Sequence, residues 1–81
     1  MSQDKTSLFN IRDIDNELIR SILSEVWDSL EERGYNPVNQ LVGYFMSGYP
    51  GYISSYKGAR DKIMSIERSE ILAYILREYL K

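Results

Sequence analysis

Leu18, Ile19, Ile22, Leu23, Val26, Trp27 and Leu30 recur at three- and four-residue steps, which marks one face of an amphipathic helix. Glu17, Arg20, Ser24, Glu25, Asp28 and Glu31 fall on its opposite face. Asp15 or Asn16 is placed to cap its start, Arg33 suits the negative end of its dipole, and Gly34 suits a left-handed stop. Asn36-Pro37 then predicts a second helix, because asparagine caps well and proline loses nothing at the first helical position. Its apolar face is expected to be Val38, Leu41, Val42, Phe45 and Met46, ending at Gly48. Tyr49-Pro50-Gly51 reads as a turn. Ser54 or Ser55 is expected to cap a third helix carrying Tyr56, Ala59, Ile63 and Ile66, with Gly58 in its first turns. Ser69 is expected to cap the last helix, where Ile71, Leu72, Ile75, Leu76, Tyr79 and Leu80 form adjacent pairs every fourth residue. No segment alternates with period two for long enough to make a strand.

The chain therefore reads as all-α, a small compact bundle of about four to five short helices with a flexible N-terminal arm. The arm is taken as 1–13, polar apart from Leu8, Phe9 and Ile11, and a single helical domain as 14–81. The chain has 81 residues, and at that size folding buries only about two-thirds of the unfolded surface. It has no cysteine and no histidine, so neither a disulfide framework nor a thiolate or imidazole metal site is available. Self-association is the remaining route to stability, and a homodimer is expected. The N-terminus lacks a signal-peptide pattern and no apolar run is long enough to span a bilayer, so a cytoplasmic location is expected.

Charge is distributed unevenly about a net value of −2. Residues 1–33 hold eight acidic and four basic side chains, Gly34 to Tyr56 holds none, and Lys57 to Lys81 holds six basic and four acidic ones. The charge-free block contains Tyr35, Tyr44, Tyr49, Tyr52 and Tyr56, and tyrosine serves cores and interfaces alike. Two readings stand open for Tyr35, Leu41, Tyr44, Phe45 and Tyr52: subunit contact or core. Lys57, Arg60, Lys62 and Arg68 could likewise be solvated charges, or a docking site for an acidic or phosphorylated group. Without histidine or cysteine the usual general base and thiol nucleophile are missing, and the carboxylates fall on a solvated helix face. No glycine spacing matches a phosphate loop. A non-enzyme without cofactor or metal is expected. A helix-turn-helix protein would need basic residues on its recognition helix, and the second helix has none, so no nucleic-acid partner is expected.

The run Leu30-Glu31-Glu32-Arg33-Gly34-Tyr35-Asn36-Pro37-Val38-Asn39-Gln40-Leu41-Val42-Gly43-Tyr44 resembles the signature of the IreB/ReoM family of regulatory phosphoproteins. Ser47-Gly48-Tyr49-Pro50-Gly51-Tyr52-Ile53, Ala59-Arg60 and Glu67-Arg68-Ser69-Glu70-Ile71 continue the resemblance over nearly the whole chain. The family is more basic around Ser54-Ser55 and Met64-Ser65; Arg60 and Arg68 are what this chain keeps of that set. The resemblance implies a small helical homodimer of low-GC Gram-positive bacteria, modified by a membrane Ser/Thr kinase and its phosphatase. It implies restraint of peptidoglycan synthesis, and with it an effect on cephalosporin resistance. The route is Clp-protease turnover of UDP-N-acetylglucosamine carboxyvinyltransferase, relieved when an N-terminal threonine is phosphorylated. Asp4-Lys5-Thr6-Ser7-Leu8-Phe9 resembles the arm around that threonine, which makes Thr6 the expected phosphoacceptor and Ser7 the second choice. The alternative is a constitutive adaptor without a phosphoswitch.

Overall fold

The computed structural model has four α-helices: α1 (Ser2–Glu32), α2 (Pro37–Ser47), α3 (Ala59–Met64) and α4 (Arg68–Tyr79). Two single 3-10 turns, Pro50–Tyr52 and Tyr56–Gly58, join α2 to α3, and there is no strand among the described residues. Side chains are described for residues 16–81. The expected arm at 1–13, the helix start at Asp15 and the phosphoacceptor candidates Thr6 and Ser7 lie outside the described residues. Asn16, the alternative cap, instead accepts a hydrogen bond from Arg77 of α4 at 3.5 Å.

The core is built on one line of α1. Ile19, Ile22, Val26 and Leu30 succeed one another at steps of three and four and are buried. They form a single cluster with Leu41 and Tyr44 of α2, Ile53 just after the Pro50–Tyr52 turn, Ala59 and Ile63 of α3, and Ile71 and Tyr74 of α4. The predicted α1 stripe is wider than what the core takes up: Leu23 packs partly against the cluster, while Leu18 and Trp27 are exposed. On α2 the correction is larger. Its buried residues are Pro37, Leu41 and Tyr44. Val38, Val42 and Met46, expected to face inward, form an outward line at steps of four and are 53%, 52% and 81% exposed. The edge of α2 that meets the core is Leu41–Tyr44, which joins the cluster around α1.

The connections follow local chemistry closely where that chemistry is short-range. At the end of α1, Gly34 adopts φ +83, Tyr35 N–H donates to the Leu30 carbonyl at 2.9 Å, and Gly34 N–H donates to Glu31 at 3.0 Å. This paired pattern is the Schellman closure, which only a residue tolerant of positive φ completes cheaply. Asn36 caps α2 by accepting from Asn39 N–H at 3.0 Å. The Tyr52 ring lies where a Cβ on Gly43 would stand, so the absence of a side chain at 43 lets the 3-10 turn close onto α2.

Two predicted caps are not used. Lys57 and Gly58 both take left-handed backbone angles, φ 55 and φ 73, so α3 begins only at Ala59, with Gly58 rather than Ser54 or Ser55 before it. The reason lies far away in sequence: buried Ser29 of α1 donates its hydroxyl to the Tyr56 carbonyl at 3.0 Å and holds that turn out of helical register. At its other end α3 stops at Met64, so Ile66 falls beyond it. α4 begins at Arg68 with Glu67 before it and no side-chain cap, which leaves Ser69 inside the first turn. We therefore expect Asn36→Ala to lower unfolding free energy by about 1 kcal/mol and Ser69→Ala to change it by less than about 0.5 kcal/mol in urea titrations. Equal losses in the two variants would contradict this assignment of caps.

Candidate functional site

Two surfaces stand out once the helices are placed. The first is a groove between the α1–α2 corner and the segment Tyr52 to Arg60. Arg33, Gln40, Ser54, Ser55 and Arg60 line it together with tyrosine rings, and no carboxylate does. Arg33 reaches it because the Schellman turn ends α1 there. Its guanidinium lies 5.3 Å from the centroid of the Tyr56 ring, and the Lys57 ammonium lies 5.2 Å from the same centroid. A cation over a ring face is attracted by the ring's negative quadrupole, so Tyr56 fixes both side chains in place. Arg60 is tethered differently. Its Nε donates to the Ile53 carbonyl at 2.9 Å, which anchors the base of the guanidinium to the loop.

The second surface is apolar. The α2 line Val38–Val42–Met46 is accompanied by Leu72 and Leu76 of α4 and Leu80 just past its end, again at steps of four and exposed. A groove beside Leu72 is lined by Tyr44, Phe45, Met64, Ile66 and Arg68, with Glu67 and Ser69 on its polar side. Exposed apolar residues at helical spacing on two helices make these faces candidates for a contact surface.

The four basic residues singled out by sequence do not converge on one spot. Lys57 and Arg60 flank Tyr56, but the Lys57 ammonium is 3.5 Å from the Glu32 carboxylate and is largely compensated by it. Lys62 is paired with Glu25 of α1. Arg68 sits at the far end of α2, where its Nη1 donates to the Phe45 carbonyl at 2.8 Å. There the guanidinium meets carbonyls that the helix end leaves unbonded, a structural use of its charge. Of the five residues left open between core and subunit contact, Leu41 and Tyr44 are buried, Phe45 is half-buried, and Tyr35 and Tyr52 are exposed. Three groups with a part in the groove were missed by sequence reading. In that reading Ser29 belongs to neither face of the first helix, Arg33 is a dipole partner only, and Gln40 has no role of its own. Gln40 donates to the Tyr52 carbonyl at 2.9 Å and so holds one wall.

These surfaces present charge, hydroxyl groups and apolar side chains to solvent on an all-helical frame. Among the described residues no three carboxylates stand close enough to hold a metal ion. No described helix is long and apolar enough to cross a membrane. A family model described as IreB regulatory phosphoprotein matches residues 4–81. The chain belongs to that family.

The Lys62–Glu25 pair gives a test of the local electrostatics. Hydrogen bonding and charge from Lys62 hold the Glu25 carboxyl below its ordinary value of 4.5. A carboxyl depressed in the folded state adds stability above its unfolded pKa, and that contribution disappears as pH falls through the folded pKa. The melting temperature is therefore expected to drop on acidification below about pH 4.5, less steeply in Glu25→Gln and less steeply in about 1 M salt. Identical acid limbs for the variant and the parent protein would show the pair to be inert.

Proposed function

We propose that this protein is a non-enzymatic phosphoswitch of the bacterial cytoplasm, with Thr6 as the phosphoacceptor and Ser7 as the secondary one. A membrane Ser/Thr kinase adds the phosphate and its partner phosphatase removes it. The unmodified form promotes Clp-protease turnover of UDP-N-acetylglucosamine carboxyvinyltransferase, which restrains peptidoglycan synthesis and sets tolerance to cell-wall antibiotics such as cephalosporins. The observation that carries this reading is the family match over residues 4–81, joined to the arm sequence Asp4-Lys5-Thr6-Ser7 that fits the family's modified segment.

The working unit in this reading is a homodimer. The Val38–Val42–Met46 line and the apolar side of α4 are where a second copy gains most, since an apolar ridge withdrawn from water contributes roughly 25 cal/mol per Å². Exposure also reassigns roles: Tyr44 serves the subunit's own core, while Tyr35 and Tyr52 remain free for contact.

Incubating the protein with the cognate kinase and ATP is expected to add one phosphate within residues 1–13, measured by intact-mass and peptide mass spectrometry. Thr6→Ala is expected to remove nearly all of it. Undiminished phosphate in that variant would overturn the assignment. Light scattering on the same samples is expected to give two subunits per particle, and a monomer at micromolar concentration would remove the dimer.

A further inference from the structure

We propose that the groove between Arg33 and Arg60 is a receptor for a phosphate monoester carried on a peptide, with the phosphorylated arm of this same chain type as its ligand. The proposal rests on the phosphoswitch reading for the source of the ligand, while the site itself follows from the groove. Charge is the first argument. The lining includes two guanidinium groups and no carboxylate, and among the described residues neither Arg33 nor Arg60 has an acidic partner. Lys57, the neighbouring cation, is already held by Glu32 and adds little net charge. The contrasting groove between α1 and α4 contains Glu17, Glu25 and Glu78.

Preorganisation is the second argument. With its Nε committed to Ile53, Arg60 keeps both Nη groups without a protein acceptor among the described residues. A guanidinium fixed in this way loses little freedom when it closes on two phosphate oxygens, and the paired N–H geometry matches that anion. Arg33 is likewise held, by the Tyr56 ring. Ser55 offers a hydroxyl donor on the same wall, and Ser54, which accepts from Tyr56 N–H at 3.0 Å, keeps its own proton to donate. Guanidinium and hydroxyl donors around an opening suit an oxygen-rich dianion.

The third argument is strain. Lys57 adopts φ 55, a left-handed conformation that is strained for a non-glycine residue. The turn is tied to α1 by the Ser29–Tyr56 hydrogen bond, and the Tyr56 ring at its start lies against the Arg33 guanidinium. A helix starting at Ser54 or Ser55 would have no such ring in that place. The strained turn thus builds the wall of the groove rather than the core.

The test is a titration of the full-length, unmodified, nitrogen-15-labelled protein, followed by NMR. The probes are a peptide of residues 1–13 phosphorylated at Thr6, the same peptide without phosphate, a scrambled phosphopeptide, and inorganic phosphate. The phosphorylated arm peptide is expected to shift the amide signals of Ser54 to Arg60 and the Nε signals of Arg33 and Arg60. The unphosphorylated peptide is expected to leave them in place, and inorganic phosphate to compete for the same signals. Arg33→Gln, which removes an exposed charge, and Arg60→Lys, which keeps charge but loses the fork, are each expected to weaken binding about tenfold. The scrambled phosphopeptide binding as well as the arm would replace the arm by phosphopeptides in general and overturn the stated ligand. Equal response to both arm peptides, or shifts centred on Arg68 instead, would overturn the site. Failure of the kinase to modify Thr6 would strike the phosphoswitch reading alone, because the added phosphopeptide would still report on the groove.

Discussion

One apolar line on α1, Ile19–Ile22–Val26–Leu30, is the surface against which everything else is placed. All four side chains lie at the centre of the single core cluster, and each of the other helices contributes to that cluster from a different direction. A chain this small has room for one such seam, so the positions of α2, α3 and α4 are not independent choices. Ser29, next to Leu30, is the one buried polar side chain among the described residues and adds a polar tie to the seam. Its hydroxyl reaches the Tyr56 carbonyl, and the left-handed pair at Lys57 and Gly58 follows from that tie. The groove with Arg33 and Arg60 is therefore set by the same stretch of α1 that organises the core.

Charge acts on this frame locally. Lys62 with Glu25 and Lys57 with Glu32 connect α3 and its preceding turn to α1, and Arg20 of α1 approaches Glu78 at 3.6 Å and donates to the Tyr74 hydroxyl at 3.2 Å on α4. Solvent-exposed pairs of this kind contribute little each, and their value is in orientation more than in stability. What they leave over is informative. Once these cations have taken their partners, Arg33 and Arg60 face an opening without a carboxylate, and the apolar lines of α2 and α4 face solvent. The first of these surfaces is polar and cationic and the second apolar, so the two differ in the chemistry they offer.

Short-range chemistry was readable directly from the residues. The asparagine-proline start of α2, the glycine stop after α1 and the left-handed Gly48 all depend on neighbours within five positions, and they stand as the sequence implied. Periodicity identified apolar faces but not what would cover them, which is why Val38, Val42 and Met46 were assigned inward. The third helix was drawn too long because the force that breaks it comes from Ser29, twenty-seven positions earlier. The basic residues around α3 looked like one cluster for a similar reason: helical spacing brings Lys57 near Arg60, yet says nothing of Glu25, Glu32 or the Phe45 carbonyl waiting on other elements. Recognition of the family rested on a string of identities rather than on physics, and it reached further than the physics did.

Native-state hydrogen exchange measures the central claim most directly, since it ranks each amide by the opening that exposes it. If the α1 seam carries the fold, amides from Ile22 to Leu30, together with those of Ile63 and Ile71, exchange last and only through global unfolding. The amides around Tyr56 to Gly58 then lose protection in Ser29→Ala while the seam keeps its own. Slower exchange in α2 or α4 than in α1, or an unchanged Tyr56–Gly58 turn in that variant, would contradict the account.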